Sequence, residues 1–83
     1  MAALDDVKQV LGETLQLGDR TNGFTADTPL FGAIAEFDSM AVVTVVTALE
    51  ERFGIFIEDD EIEAEVFATV GSLAAFVDRK LEA

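Results

Sequence analysis

Hydrophobic positions near the start of the chain fall on one side of a helix. Leu4, Val7, Leu11 and Leu15 recur at helical spacing, and Val10 and Leu17 widen the stripe. The stretch ALDDVKQVLGETLQLGD therefore predicts a first helix. Asp5 and Asp6 stand in its first turn, where the helix dipole favours negative charge. Gly12 costs about 1 kcal/mol against Ala in a helix interior, and Gly18 is the expected stop. A long polar-and-aromatic connection follows, DRTNGFTADTPLFGAIAEF. Asn22-Gly23 signals a turn. Asp27 and Thr28 ahead of Pro29 predict one short helical turn there. Loops of this length in compact domains are often functional; Phe24, Leu30, Phe31, Ile34 and Phe37 are expected to pin this one.

Asp38 is placed to cap a second helix from Ser39 to Phe53, ended by Gly54. The β-branched run AVVTVVTAL also suits a strand. Alternation fails in it, because Val42 and Val43 are adjacent, as are Val45 and Val46; the exit ALEERFG is strongly helical. Val42, Val45, Val46, Leu49 and Phe53 make a core stripe. Met40, Val43, Thr44 and Thr47 make a second face, less polar than a solvent face should be. Two arrangements satisfy it: an exposed docking surface beside Ser39, or a central helix buried on several sides. Beyond Gly54, EDDEIEAE predicts a short acidic helix around Asp60 to Val66. Thr69 is placed to cap a last helix with Val70, Leu73, Phe76, Val77 and Leu81 as its stripe, and Arg79 and Lys80 sit at its C-terminal end as the dipole prefers. The pattern predicts an all-α fold over residues 1–83 as a single domain: a small bundle of three main helices plus one short helix, with a long first loop.

Charge narrows the partners. The 83 residues hold 17 acidic and 5 basic side chains, a net charge of −12. Such a chain repels nucleic acid and anionic membrane surfaces and is drawn to basic patches. Met40 to Leu49 is uncharged but too short to span a bilayer. The N-terminus carries Asp5 and Asp6 where a signal peptide would be basic and then apolar. A cytoplasmic monomer with no membrane insertion is the expectation.

Composition also bounds the chemistry. The chain has no Cys, Trp or Tyr and no His. No thiolate zinc site can form, and a Ser-His-Asp arrangement is excluded. Ser39 has no base assigned to it: Lys8 and Lys80 lie in the first and last helices, and Asp38 is occupied as a cap. No glycine-rich phosphate loop or calcium-loop pattern occurs. The chain alone is therefore expected not to be an enzyme, with no catalytic residue and no metal site. A Ser in the first turn of a helix is nevertheless well placed to hold a phosphate, although sharing the cap with Asp38 would also explain it.

FDSM, then ALEERFGI, an acidic segment and ATVGSLAAFV together resemble the acyl carrier proteins. The family signature has D-S-L opening the second helix, an A-L-E-x-x-F-G-I exit and a T-V pair opening the last helix. Here Met40 replaces Leu. The resemblance covers Leu4 to Leu81. It implies that Ser39 is esterified by 4′-phosphopantetheine, donated from coenzyme A by a phosphopantetheinyl transferase with Mg²⁺, and that acyl groups ride on the arm as thioesters. It implies partners among acyl-transferring, acyl-activating or condensing enzymes with basic docking patches, in fatty-acid, polyketide or related biosynthesis. Ala41 and Thr44 stand where fatty-acid carriers of the family usually have acids, while Glu50 and Glu51 keep a later acidic pair. The segment from Ile57 to Thr69 is about two residues longer than usual. These departures fit a specialised pathway as well as fatty-acid synthesis. An aminoacyl or peptidyl carrier, and an unmodified acidic interaction module, are the alternatives. An attached acyl chain is expected to slide between the second helix, at Val46 and Leu49, and Ile57, Ile62 and Val66.

Overall fold

The computed structural model describes residues 3–31, 34 and 37–82. Three α-helices make the frame: α1 (Leu4–Thr14), α2 (Ser39–Phe53) and α3 (Val70–Glu82). α1 packs on both α2 and α3. Val7, Val10 and Leu11 of α1 meet Val42, Val45, Val46 and Leu49 of α2 and Val70, Leu73, Phe76 and Val77 of α3 in one core. Phe53 is half-buried against it. Leu81 departs from the expected stripe and is exposed.

The helix ends follow capping chemistry, with one surprise. α1 stops at Leu15, before the expected Gly18. Gln16 takes the left-handed conformation at φ 56°, and the Leu17 amide donates back to the Gly12 carbonyl at 2.9 Å, closing a Schellman-type end. Gly18 instead opens a 3₁₀ turn, Gly18–Gly23. Gly12 has a packing reason: a Cβ there would stand 3.1 Å from Thr21 Cγ2. α2 starts and ends as expected, on Asp38 and on Gly54 at φ 66°. Thr69 caps α3 reciprocally: its hydroxyl accepts from the Ser72 amide, and Ser72 Oγ accepts from the Thr69 amide, both at 3.0 Å.

The long loop differs from its sequence reading. Pro29 forms a bridge with Thr69 rather than opening a helix. Leu30 donates to Ala68, Phe31 to Phe67, Val70 to Thr28 and Gly71 to Ala26 through backbone amides at 2.8–3.2 Å. One helical bond, Ile34 to Leu30, follows; residues 32, 33, 35 and 36, which the expected turn would use, lie outside the described residues. Leu30 and Phe37 are buried pins, and Phe24 and Ile34 pack partly on the core. Phe31 is half-exposed and packs edge-on to Phe37 instead, at 6.2 Å. Phe67, which helical periodicity does not single out, is buried beside Phe37 with ring centroids 6.0 Å apart.

The expected acidic helix at Asp60–Val66 is not α-helical. A single 3₁₀ turn, Asp59–Glu61, and a run of turns replace it. Local hydrogen bonding explains the change. The Glu58 side chain and the Glu61 side chain cap each other's backbone, which fixes one tight turn and starts no longer helix. Lys80 Nζ then holds Glu61 at 2.8 and 3.1 Å. That hydrogen bond, with the Glu58 amide behind it, keeps the Glu61 carboxyl below its ordinary 4.5. A depressed carboxylate stabilises the fold above 4.5, and the contribution vanishes as pH falls through the lower folded value. Lys80→Gln should thus lower the urea midpoint at pH 7 and lower it by less at pH 3. Equal differences at both pH values would mean that the pair adds no stability.

Candidate functional site

Ser39 stands at the head of α2, and the chain reaches it from the buried ring of Phe37. Asp38 is extended, at φ −103° and ψ −172°. Its Oδ1 accepts from the Ala41 amide at 2.9 Å, and its carbonyl accepts from Val42 at 3.1 Å. Capping is therefore Asp38's work. Ser39 occupies the first helical position with its side chain exposed. Its amide and that of Met40 belong to the first turn, whose N–H groups have no acceptor inside the helix. No acidic side chain lies in that first turn. An exposed hydroxyl, oriented amides and the positive end of a fifteen-residue helix thus meet at one point.

Neither Lys is engaged there. Lys80 is bound to Glu61, and Lys8 lies on α1. The arrangement can hold an anion on Oγ but has no side chain assigned to take its proton.

The second face of α2 resolves as the exposed alternative. Met40 is 75% and Val43 60% exposed, and Thr44 and Thr47 are exposed beside them. The two Thr hydroxyls donate to the Met40 and Val43 carbonyls at 3.1 Å, so their polarity is satisfied within the helix. The acidic pair at the helix exit divides. Glu51 is exposed, but Glu50 Oε2 accepts from the Ile57 amide at 2.9 Å and so braces the following loop. Arg52, which composition leaves unexplained, donates to Asp6 at 3.2 Å and Gln9 at 2.8 Å and approaches Glu13 at 4.0 Å, tying the end of α2 to the polar face of α1.

Two grooves open near this face. One, of about 530 Å³, runs between Val43, Val46 and Thr47 of α2 and Phe56, Ile57 and Ile62. The other, of about 210 Å³, is lined by Phe31, Val42, Ile62, Ala64 and Phe67. Val46, Ile57 and Ile62 come together as expected. Leu49 joins Val46 and Ile57 in the buried core, against which Ile62 and Val66 pack, but neither Leu49 nor Val66 lines these two grooves: Leu49 is fully buried, and Val66 lines a separate one with Ser72 and Arg79 of α3. Phe56 was not among the expected site residues. The signal for it is the extended triplet Ile55-Phe56-Ile57, in which alternation buries Ile57 and turns Phe56 outward.

Comparison with known proteins agrees with this geometry. The family model described as the phosphopantetheine attachment site matches residues 5–77. An acyl carrier protein of Sulfurovum sp. is 42% identical over 79 residues, 94% of this chain and 97% of its own. One from Wolinella succinogenes is 37% identical over 78 residues, 94% of this chain and 96% of its own. The solution NMR structure of a holo acyl carrier protein from Nitrosomonas europaea is 52% identical and superposes over 100% of both chains with a TM-score of 0.94. The all-α frame is thus that of a known carrier fold, and the chain belongs to the acyl carrier proteins, a phosphopantetheine-attachment family.

Proposed function

We propose that Ser39 carries the 4′-phosphopantetheine of this acyl carrier protein. The observation that supports this assignment is the exposed hydroxyl at the first position of α2, with Asp38 already serving as the cap. The residues fit the group: a phosphodiester brings one negative charge to a helix N-terminus, worth about 0.3–1 kcal/mol at an exposed site. In the loading step the bond from Ser39 Oγ to phosphorus forms and the pyrophosphate link of coenzyme A breaks. Adenosine bisphosphate leaves, and the hydroxyl proton passes to a base of the transferase, which this chain does not supply. The thiol of the bound arm takes acyl groups as thioesters. Co-expression with a broad-specificity phosphopantetheinyl transferase should raise the intact mass by one phosphopantetheine. An unchanged mass with several such transferases would leave the interaction-module reading.

The chain performs no chemistry of its own on the cargo. Residues 1–83 act as one monomeric carrier unit in the cytoplasm, and among the described residues no helix is long and apolar enough to cross a membrane. Partners dock along Met40, Val43 and Thr47, steered by Glu51 and by the net charge of −12. They are the transferase and acyl-transferring, acyl-activating or condensing enzymes with basic patches. Added salt slows such encounters.

An acyl chain enters at Ile62, which lines both grooves. Each methylene buried contributes up to about 0.8 kcal/mol. Four of them contribute about 3 kcal/mol before the cost of parting the walls, and each kcal/mol moves the melting temperature by about 4–8 °C. The eight-carbon acyl form has about six more methylenes than the two-carbon form, and with four of them buried it is expected to melt about 10 °C higher. Equal melting temperatures would point to a polar or aminoacyl cargo held in solvent.

A further inference from the structure

The exposed apolar surface of α2 does not end with the helix. Gly54, left-handed at φ 66°, reverses the chain, and the loop runs back alongside α2. There Phe56 shares a groove with Val43, Val46 and Thr47. Phe56 is 69% exposed, the larger part of an aromatic ring left in water. It is held there: Ile57 is buried, and its amide is anchored on Glu50 Oε2 at 2.9 Å. The residue on one side of Phe56 is thus fixed both by packing and by a charge-assisted hydrogen bond. Glu58 and Asp59 flank the groove.

The charge pattern selects the occupant. A second copy would bring its own acidic rim and a second net charge of −12 against this one. A cationic partner meets the apolar strip and the rim together.

We propose that Phe56 is an aromatic anchor for partner enzymes, received by an apolar pocket flanked by Arg or Lys. Glu50 is the positioning residue that presents it. The proposal rests on the carrier reading above and extends its docking surface from α2 onto the following loop. Met40 to Thr47 spans about 10 Å along the helix at 1.5 Å per residue. A partner whose active site reaches Ser39 therefore covers this strip.

The test uses the full chain and two named partners: a broad-specificity phosphopantetheinyl transferase on the apo form, and an acyl-carrier-protein synthetase on the holo form. Phe56→Ala should raise KM for the carrier about tenfold with at least one of them, as truncation of an interface anchor does, with kcat unchanged. Phe56→Leu should recover most of the loss. Glu50→Gln, which keeps an acceptor for the Ile57 amide, should stay within about threefold of wild type, whereas Glu50→Ala should resemble Phe56→Ala. The melting temperature of Phe56→Ala should match wild type, since little is buried. Val43→Asp serves as the comparison on α2. If Val43→Asp raises KM and Phe56→Ala does not with either enzyme, docking stays on the helix and this proposal is overturned while the carrier reading stands. If wild type is never loaded, the carrier reading falls and takes this proposal with it. A wild-type dimer that Phe56→Ala converts to monomer would assign the groove to a second copy and overturn it as well.

Discussion

Ser39→Ala is expected to abolish loading with phosphopantetheine completely while leaving the fold intact. The two halves of this result have separate causes. Loading needs the oxygen nucleophile, and no other exposed hydroxyl or thiol occupies the first turn of α2; the chain contains no Cys. Folding needs the cap, and the cap is the Asp38 carboxylate on the Ala41 amide. Ala is also a better helix former than Ser by a few tenths of a kcal/mol. The variant should melt at or slightly above the wild-type temperature and keep the apo mass under every transferase. Asp38→Ala gives the mirror image: it should cost about 1 kcal/mol through loss of the cap while retaining the hydroxyl. Loading of the Ser39→Ala variant would mean that the arm is attached elsewhere.

Gly71→Ala is expected to cause the largest stability loss of any single-methyl addition considered. The added Cβ would lie 2.6 Å from the Ala26 carbonyl oxygen and 2.9 Å from the Ala26 Cβ. Both belong to a segment that cannot swing aside, because the Gly71 amide donates to that same carbonyl at 2.8 Å. Helix propensity pulls the other way by up to about 1 kcal/mol. The clash wins, since relief requires moving backbone and weakening buried hydrogen bonds at about 1–3 kcal/mol each. A net cost of about 2–4 kcal/mol is expected, a drop of roughly 10–25 °C in melting temperature for a domain of this size. Gly23→Ala, where a methyl meets open space, should be close to neutral. A Gly71→Ala melting temperature within about 2 °C of wild type would show that the loop does not depend on this close approach.

Local chemistry made much of this legible. Asp38, Ser39 and Gly54 are a cap, a first position and a left-handed stop within three or four residues of the helix they bound, so α2 reads correctly from its ends. The stripes of α1 and, apart from Leu81, of α3 read from helical spacing. What escaped depends on pairings far apart in sequence. Pro29 is a good helix opener by itself, but Thr69 claims it. Glu58 and Glu61 look like helical acids, yet their mutual capping and the distant Lys80 fix a single turn. Glu50 looks like a surface charge until Ile57 folds back onto it. The exposed face of α2 was an open alternative in the sequence, because exposure depends on which helices pack where, and periodicity counts faces without naming their neighbours.

The bridge between Pro29 and Thr69 bears on the order in which the chain can be completed. The Ala26 and Thr28 carbonyls and the Leu30 and Phe31 amides find their backbone partners in residues 67–71, nearly half the chain away. During synthesis from the N-terminus, α1 and α2 can form while the intervening loop still lacks those partners. Closure comes late, since long-range pairing must first overcome the entropy of the open chain. A nascent chain stopped short of residue 67 would expose Leu30 and Phe37 along with an unfinished core. The loop leading toward Ser39 is thereby closed only once residues 67–71 have emerged, so its setting depends on the segment that opens α3.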